Sequence, residues 1–160
     1  MSRALKLKEG SVKKDSNRKT IIKTAESKEE VRRCFPVMKQ LREKLSAEEF
    51  AEKVGEQERE GYKLAFLERE GRVLGVAGFR IYHMLATGKT MYVDDLVTDE
   101  NARSQGVGEA LLKWLIELSR NQRCETFSLD SGTHRRRAHR FYFAQGMHIA
   151  NYHFELALNG

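Results

Sequence analysis

The stretch from Asp95 to Gly108 constrains the fold of this chain more than any other. An apolar strand ends near Thr98, a polar turn follows, and an Arg-x-x-Gly-x-Gly motif formed by Arg103, Gly106 and Gly108 opens an amphipathic helix. Glycines let the backbone approach a bulky anion, and the unpaired amides and partial positive charge of a first helical turn bind it. The pattern therefore predicts a strand–turn–helix unit with an anion site at the turn.

Two better-known phosphate motifs do not fit. A dinucleotide fingerprint needs a third glycine near the position of Leu111. A Walker loop needs a glycine where His83 stands, and its Gly-Lys-Thr would have to open a helix, whereas Thr90 begins a β-prone run. On its own, the motif leaves two interpretations open: a site for another phosphate-bearing ligand, or glycines that only begin a helix.

Hydrophobic periodicity predicts the element order β-α-α-β-β-β-α-β-α-β, a single-domain mixed α/β (α+β) sheet with helices on both faces. Capping boxes begin the first two helices at Ser27 and Ser46, and Pro36 bends or interrupts the first. The later elements are strands over 73–82, 90–98 and 126–129, helices over 106–120 and 135–145, and a last strand in which Tyr152, Phe154 and Leu156 alternate.

Charge is distributed unevenly along the 160 residues. Residues 1–19 carry seven basic and two acidic side chains, a net +5 of the total +6. The sequence predicts a solvated basic leader over 1–19 and one domain over 20–160. An electrostatic arm for RNA or acidic partners is the alternative for the leader, but the folded part does not favour nucleic acid. We find no membrane span or secretory signal, so a cytoplasmic protein is expected.

The two cysteines, Cys34 and Cys124, lack metal-type spacing. Each stands among apolar neighbours, which favours buried, reduced thiols over ligands. No metal site is expected.

Two signatures in order resemble the GNAT superfamily of acyl-CoA N-acyltransferases, over residues 20–157. The first is the strand and the Arg-x-x-Gly-x-Gly turn. The second is Ala138, Phe141, Tyr142 and Gly146, with Met147 in place of the usual final aromatic. The tail of the chain also resembles small bacterial members such as aminoalkylphosphonate N-acetyltransferases.

The resemblance implies that acetyl-CoA is the cosubstrate and supplies the acetyl group. By resemblance, the turn residues hold the pyrophosphate of coenzyme A, the strand end pairs with its pantetheine, and Arg135 replaces an asparagine that contacts the coenzyme in many members. These implied contacts are Leu96, Val97, Thr98, Arg103, Ser104, Gln105, Gly106, Val107, Gly108 and Arg135.

Acyl transfer to an amine needs a polarised carbonyl, a proton donor and a base. Backbone amides freed by a splay or bulge near Val97 and Thr98 would polarise the carbonyl. Tyr142 is at the family's general-acid position. Asp94 and Asp95 are both candidates for the base, and strand alternation predicts that their side chains point to opposite faces.

The amine acceptor is the least constrained part. The first helices and the hairpin usually form the acceptor site in this superfamily, which implicates Phe35, Met38, Tyr82 and His83, residues that also suit a core. We expect direct attack by a primary amine of a small molecule. Acetylation of a protein or aminoacyl-RNA amine, and a non-catalytic acyl-CoA sensor, are the alternatives. An exposed strand edge would permit a homodimer.

Overall fold

The computed structural model describes residues 19–158, so the predicted leader lies outside the described residues except for Lys19. Its strands are β1 (Thr20–Thr24), β2 (Tyr62–Arg69), β3 (Arg72–Met84), β4 (Gly88–Thr98) and β5 (Thr126–Leu129). Its helices are α1 (Lys28–Met38), α2 (Ala47–Glu58), α3 (Val107–Asn121) and α4 (Arg136–Ala144). Within this range, no helix is long and apolar enough to cross a membrane.

The described strands form one mixed sheet in the order β1-β2-β3-β4-β5. The first three pairings are antiparallel, and β5 joins β4 in parallel after the α3 crossover. Short turns join β2 to β3 and β3 to β4, and α1 and α2 lie between β1 and β2. A parallel neighbour requires a crossover connection, usually a helix. The predicted fold class, a mixed α/β sheet, is therefore confirmed, with hairpins joining β2, β3 and β4 and one crossover, through α3, among the described elements.

Strand alternation places a hydrophobic cluster on each face of the sheet. Leu64 and Phe66 of β2 point to the side covered by α1 and α2, which we call the α1/α2 face. Ala65 points to the opposite side and packs in the cluster that contains Leu111 and Leu115 of α3, which we call the α3 face. Both faces are apolar because hydrophobic side chains occupy successive positions of the buried strand.

The capping box predicted at Ser46 forms completely, and the one predicted at Ser27 forms in part. At Ser46 both hydrogen bonds of the capping box form with Glu49. At Ser27 only the serine half forms, because the Glu30 carboxylate accepts from the amide of Glu26 instead. Pro36 lies in the last turn of α1, which ends at Met38.

The predicted last strand is wrong for the described chain. After α4, residues 147–158 form no strand, and Tyr152, Phe154 and Leu156 are each more than 80% exposed. The alternation of apolar and polar residues is present, but the structure gives this segment no neighbouring strand. Alternation indicates which side chains favour burial, but it does not determine which strand will pair with the segment.

Candidate active site

The end of β4 is the structural centre of the site. Strand β5 pairs with Thr90–Val93 and stops at Leu129, so the stretch from Asp94 to Thr98 runs on without a described neighbour on that side. Its backbone groups on that edge are left for a ligand. This gap follows from the shortness of β5, four residues beside the eleven of β4.

A β-bulge at Asp94 shifts the pairing with β3. Gly78 pairs with Asp95 and Phe79 with Val93, which leaves Asp94 as the extra residue. The bulge reverses the alternation, so that Val93 belongs to the cluster on the α3 face and Val97 to the cluster on the α1/α2 face. The strand therefore does contain a bulge, but at Asp94 and not beside Val97 and Thr98, whose free edge comes from the shortness of β5.

The bulge also brings the two carboxylates to one side, so the expectation that they point to opposite faces is wrong. Asp94 accepts from Arg80 Nε at 3.1 Å, and Arg80 also donates to Gln57 of α2 at 3.3 Å. Asp95 accepts from Tyr62 Oη at 3.0 Å and from Arg42 Nε at 2.8 Å. Sequence alternation alone does not reveal an extra residue in a strand.

The two aspartates differ in how well each could serve as the base that accepts a proton from the amine. Asp95 is bound by a buried phenol and a guanidinium, which occupy both of its oxygens. Burial raises the pKa of Asp94 above its ordinary value of 3.8, although the guanidinium of Arg80 opposes this. Asp94 also lines the cavity described next, so it is the better placed base.

A cavity of about 150 Å³ opens where β4 and β5 part. It lies between the segment that follows α1, the ends of the two strands and the start of α4. The lining residues are Leu41, Arg42, Val93, Asp94, Leu96, Leu129, Asp130, Ser131, Gly132, Arg135 and Tyr142. Four of the predicted site residues, Asp94, Leu96, Arg135 and Tyr142, thus share one cavity.

Tyr142 reaches this cavity from α4. Burial raises the pKa of its phenol above the ordinary value of 10.0, and the charge of Arg135 pulls it down to a lesser extent. The hydroxyl is therefore protonated at neutral pH. It meets the protonation requirement of a general acid.

The glycine turn has the backbone geometry of an anion cradle. Ser104 and Gly106 both have positive φ, +62° and +76°, and no side chain caps the start of α3 in the described structure. A Cβ on Gly108 would lie 3.1 Å from Thr98 Oγ1, so the close approach of helix and strand favours glycine there. The first-turn amides of α3 are thus left for an anionic ligand.

Basic side chains from α4 border the same turn. Arg137 Nη2 donates to Ser104 Oγ at 3.4 Å, which brings the start of α4 to the cradle. With Arg103 and Arg135 this makes three guanidinium groups on or beside the predicted coenzyme site. The residues present fit a ligand that carries several phosphates.

Sequence reasoning missed several cavity residues. Arg42 comes from the irregular segment after α1, and Asp130, Ser131 and Gly132 follow β5. The Ser131 hydroxyl is buried without a hydrogen-bond partner among the described residues, and Asp130 accepts from Tyr92 Oη at 2.8 Å. The signal available was their position, directly after the strand that neighbours β4, where ligands bind in open sheets.

The four predicted acceptor residues do not line the cavity. Met38 is 2% exposed and belongs to the core, and Phe35 packs on the ring of Phe50. Tyr82 packs against Tyr92, and His83 is exposed at the far end of β3. A role for them in acceptor binding stays a prediction.

The chemistry of the remaining reactive groups is limited. Cys34 and Cys124 are both free, and burial raises the pKa of the Cys34 thiol to about 12. A thiol of that pKa is not a thiolate nucleophile at neutral pH. Across residues 19–158 no group of three metal-ligating side chains comes together.

Comparison with known proteins adds a family. The sequence profile of the acetyltransferase (GNAT) family matches residues 25–147. An uncharacterized N-acetyltransferase of Bacillus subtilis, YhdJ, is 31% identical over 135 residues, which are 83% of this chain and 95% of that protein. An aminoalkylphosphonate N-acetyltransferase of Salmonella typhimurium is 33% identical over 101 residues, which are 61% of this chain and 62% of that protein.

Solved structures show the same fold. An aminoglycoside N-acetyltransferase in complex with coenzyme A superposes with a TM-score of 0.77 at 13% identity, covering 89% of this chain and 96% of that one. At so low an identity the likeness concerns the fold alone. The evidence for the family relationship is the profile match, which spans β4, the glycine turn and α4.

Proposed function

Because the chain belongs to the GNAT family of acetyltransferases and is an acetyl-CoA-dependent N-acetyltransferase, we propose that it acetylates the primary amine of a small molecule by direct attack. One observation is the main support for this proposal. Asp94, a carboxylate of raised pKa, and Tyr142, a protonated phenol, line one cavity at the gap between β4 and β5.

The cosubstrate site is proposed at the glycine turn. The amides of residues 104–108 and the guanidinium of Arg103 would hold the pyrophosphate, and the free edge of Leu96–Thr98 would pair with the pantetheine arm. Arg135 would contribute a further charge-assisted hydrogen bond. When bound, acetyl-CoA supplies an acetyl group activated as a thioester.

The protein's own groups then divide the proton chemistry between them. Asp94 accepts the proton that an ammonium group must lose before its nitrogen can attack. Tyr142 holds a proton at its hydroxyl inside the cavity, and the backbone amides on the free edge of β4 are hydrogen-bond donors for developing negative charge. No step requires an acyl-enzyme, and the high pKa of Cys34 is consistent with that.

The charges of the cavity support a particular kind of amine. Asp94 and Asp130 are suited to an ammonium group, and Arg42 is suited to an anion. The aminoalkylphosphonate enzyme of Salmonella is named for substrates that carry both groups. We therefore propose a small primary amine with an anionic substituent, and the cavity of about 150 Å³ suits a small molecule.

A panel of amines with free-thiol detection tests this proposal. Aminoalkylphosphonates and amino acids should release CoA at lower KM than uncharged amines of equal length. Arg42→Gln should raise KM for the anionic amines about 10-fold or more and leave uncharged amines within about 2-fold. Arg32→Gln, an exposed arginine on α1, is the matched control and should change neither.

Two results would contradict the small-molecule assignment. One is CoA release only with protein or aminoacyl-RNA amines. The other is binding of acetyl-CoA without CoA release from any amine, which would favour the sensor.

We also propose that the catalytic domain spans residues 20–160, behind a basic leader, and that it works in the cytoplasm. Both cysteines are free thiols in the structure, which supports a reducing compartment.

A further inference from the structure

We propose that Asp95 is a positioning residue that determines acceptor specificity. It holds the guanidinium of Arg42 beside Asp94, so that the groups that bind the anion and the amine of the acceptor lie a short, fixed distance apart. The inference rests on the proposed function, because it takes Asp94 as the base and Arg42 as the anion contact. It adds the residue that orients Arg42 and the spacing between the two charged groups of the acceptor.

Arg42 has no regular backbone structure that would fix its direction. It lies between α1 and α2, where the backbone forms turns in which Arg42 N donates to the carbonyl of Met38. Its side chain is 51% exposed. A long, half-exposed side chain has many rotamers, and a ligand that binds it must restrict them. The strength of the anion contact therefore depends on what holds the guanidinium before the acceptor arrives.

The Asp95 carboxylate holds the guanidinium along one edge. Its Oδ1 accepts from Arg42 Nε at 2.8 Å and lies 2.7 Å from Arg42 Nη2. Arg42 Nη2 also donates to the backbone carbonyl of Asp94 at 3.3 Å. Within residues 19–158, the guanidinium makes these contacts through Nε and Nη2, which leaves the two N–H groups of Nη1 for an acceptor.

Asp95 is in turn fixed by the core. Its side chain is 11% exposed, and its Oδ2 accepts from Tyr62 Oη at 3.0 Å. Tyr62 is 4% exposed and passes so close to Gly78 that a Cβ there would lie 1.9 Å from the phenol oxygen. A side chain in a close-packed interior keeps one position. The contacts from Tyr62 through Asp95 to Arg42 thus connect the rigid core to a half-exposed side chain of the cavity.

The bond to the Asp94 carbonyl determines the spacing of the two charged groups. A guanidinium held on the backbone of Asp94 stays close to the carboxylate of the same residue, and both residues line the cavity of about 150 Å³. An acceptor with its ammonium group on Asp94 and its anionic group on Arg42 therefore needs a short spacer. A long, flexible spacer would have to fold, which costs conformational entropy.

A carboxylate beside an anion contact also has an opposing effect. Asp95 is negatively charged, and like charges repel, so by charge alone it would weaken the binding of an anionic amine. Removal of this charge would then lower KM for such amines. Loss of positioning would raise it. The sign of the change in KM distinguishes the two effects.

Amine kinetics with Asp95→Asn test the proposal. The variant should raise KM for 2-aminoethylphosphonate about 5-fold or more, and should change kcat and the KM for an uncharged amine of equal length by less than about 2-fold. Tyr62→Phe, which keeps the ring, should raise the same KM to a smaller extent. Added to Arg42→Gln, Asp95→Asn should have no further effect. Glu68→Gln removes a carboxylate that pairs with Arg33 and is the matched control.

Two further measurements test the spacing and the position directly. In the parent, KM should be about 10-fold lower for 2-aminoethylphosphonate than for 6-aminohexylphosphonate, and Asp95→Asn should reduce that ratio. By NMR without substrate, the Nε–H group of Arg42 should be ordered in the parent and mobile in Asp95→Asn.

The outcomes separate this proposal from the proposed function. If the parent prefers anionic amines but Asp95→Asn leaves their KM unchanged or lowers it, the positioning role is wrong and the substrate class stands. An Arg42 Nε–H group that is equally ordered in the parent and in Asp95→Asn also overturns the positioning role. If the parent does not prefer anionic amines at all, the proposed substrate class is wrong, and the role of Asp95 in specificity falls with it.

Discussion

Asp94, the proposed base, is the extra residue of the bulge in β4 and lines the cavity. Burial raises its pKa above 3.8, so a larger fraction of its carboxyl group is protonated at mildly acidic pH than in an ordinary aspartate. A base works only when ionised. Activity should therefore rise with pH through this raised pKa and level off above it.

Replacement of Asp94 tests that assignment. We expect Asp94→Asn to lower kcat by about 100-fold or more, the usual contribution of a general base, and to abolish the acidic limb of the pH profile of kcat/KM. Asp95→Asn is the comparison: it removes a carboxylate held by Tyr62 and Arg42, and should leave that limb in place. If Asp95→Asn removes the limb and Asp94→Asn does not, the roles are reversed.

Tyr142 is predicted to act through its hydroxyl and not through its ring. We expect Tyr142→Phe to lower kcat by about 100-fold and to change the KM for acetyl-CoA by less than about 3-fold, because the ring still fills its place. Since its pKa is raised above 10.0, the parent should keep full activity to about that pH. Tyr152→Phe, on an exposed tyrosine, is the control; equal losses in both variants would remove Tyr142 from the mechanism.

Single residues show which part of the site a sequence can predict. Gly106 and Tyr142 belong to motifs in which local backbone geometry and position are fixed together, so their places were predictable. Arg42 could not be placed in the same way, because it lies in an irregular segment without periodicity. It reaches the cavity because the segment between α1 and α2 passes the end of β4, where the Arg42 side chain donates to Asp95 and to the Asp94 carbonyl.

At the scale of the strands, the position of the Asp95 side chain depends on how Tyr62 crosses β3. A Cβ on Gly78 would lie 1.9 Å from Tyr62 Oη, so only glycine lets this buried tyrosine reach Asp95. The bulge that turns Asp94 toward the cavity lies between Gly78 and Phe79 on the facing strand. Glycine in a strand often marks such a close approach.

Alanine substitutions at two glycines distinguish the effect of this close contact on stability from the effect of glycine's backbone flexibility. Gly78→Ala should lower the free energy of unfolding by about 1–3 kcal/mol, because Tyr62 must move in a filled core. Gly55→Ala, in α2 with no atom within 4 Å of the new Cβ, should raise it by about 0.5–1 kcal/mol. Urea unfolding measures both; a neutral Gly78→Ala would contradict the close packing.

Among the elements, the tail shows what periodicity leaves undetermined. The sequence pattern of residues 152–158 predicts a strand as clearly as that of β2, yet within residues 19–158 only β2 of the two has neighbouring strands. The bulge in β4 is a second case, since an inserted residue reverses the faces without altering the hydrophobic run. Strand pairing is a property of the assembled sheet.

In the whole molecule, most of the net positive charge lies outside the domain that contains the cavity. Residues 1–19 hold a net +5 of the total +6, and the domain that carries the cavity is nearly neutral. If the acceptor is a small amine, the leader has no part in recognising it. If the acceptor is RNA, the leader is the electrostatic contact, and binding through it weakens with salt.

Deletion of residues 1–18 distinguishes these cases. We expect the shortened chain to keep kcat and KM for small amines within about 2-fold of the parent, because the residues that line the cavity are all between Leu41 and Tyr142. Its activity should also show the same dependence on salt from 50 to 500 mM, roughly the range in which phosphate contacts are lost. If the deletion instead weakens acceptor binding by about 10-fold or more, and added salt reproduces that loss in the parent, acceptor recruitment belongs to the leader.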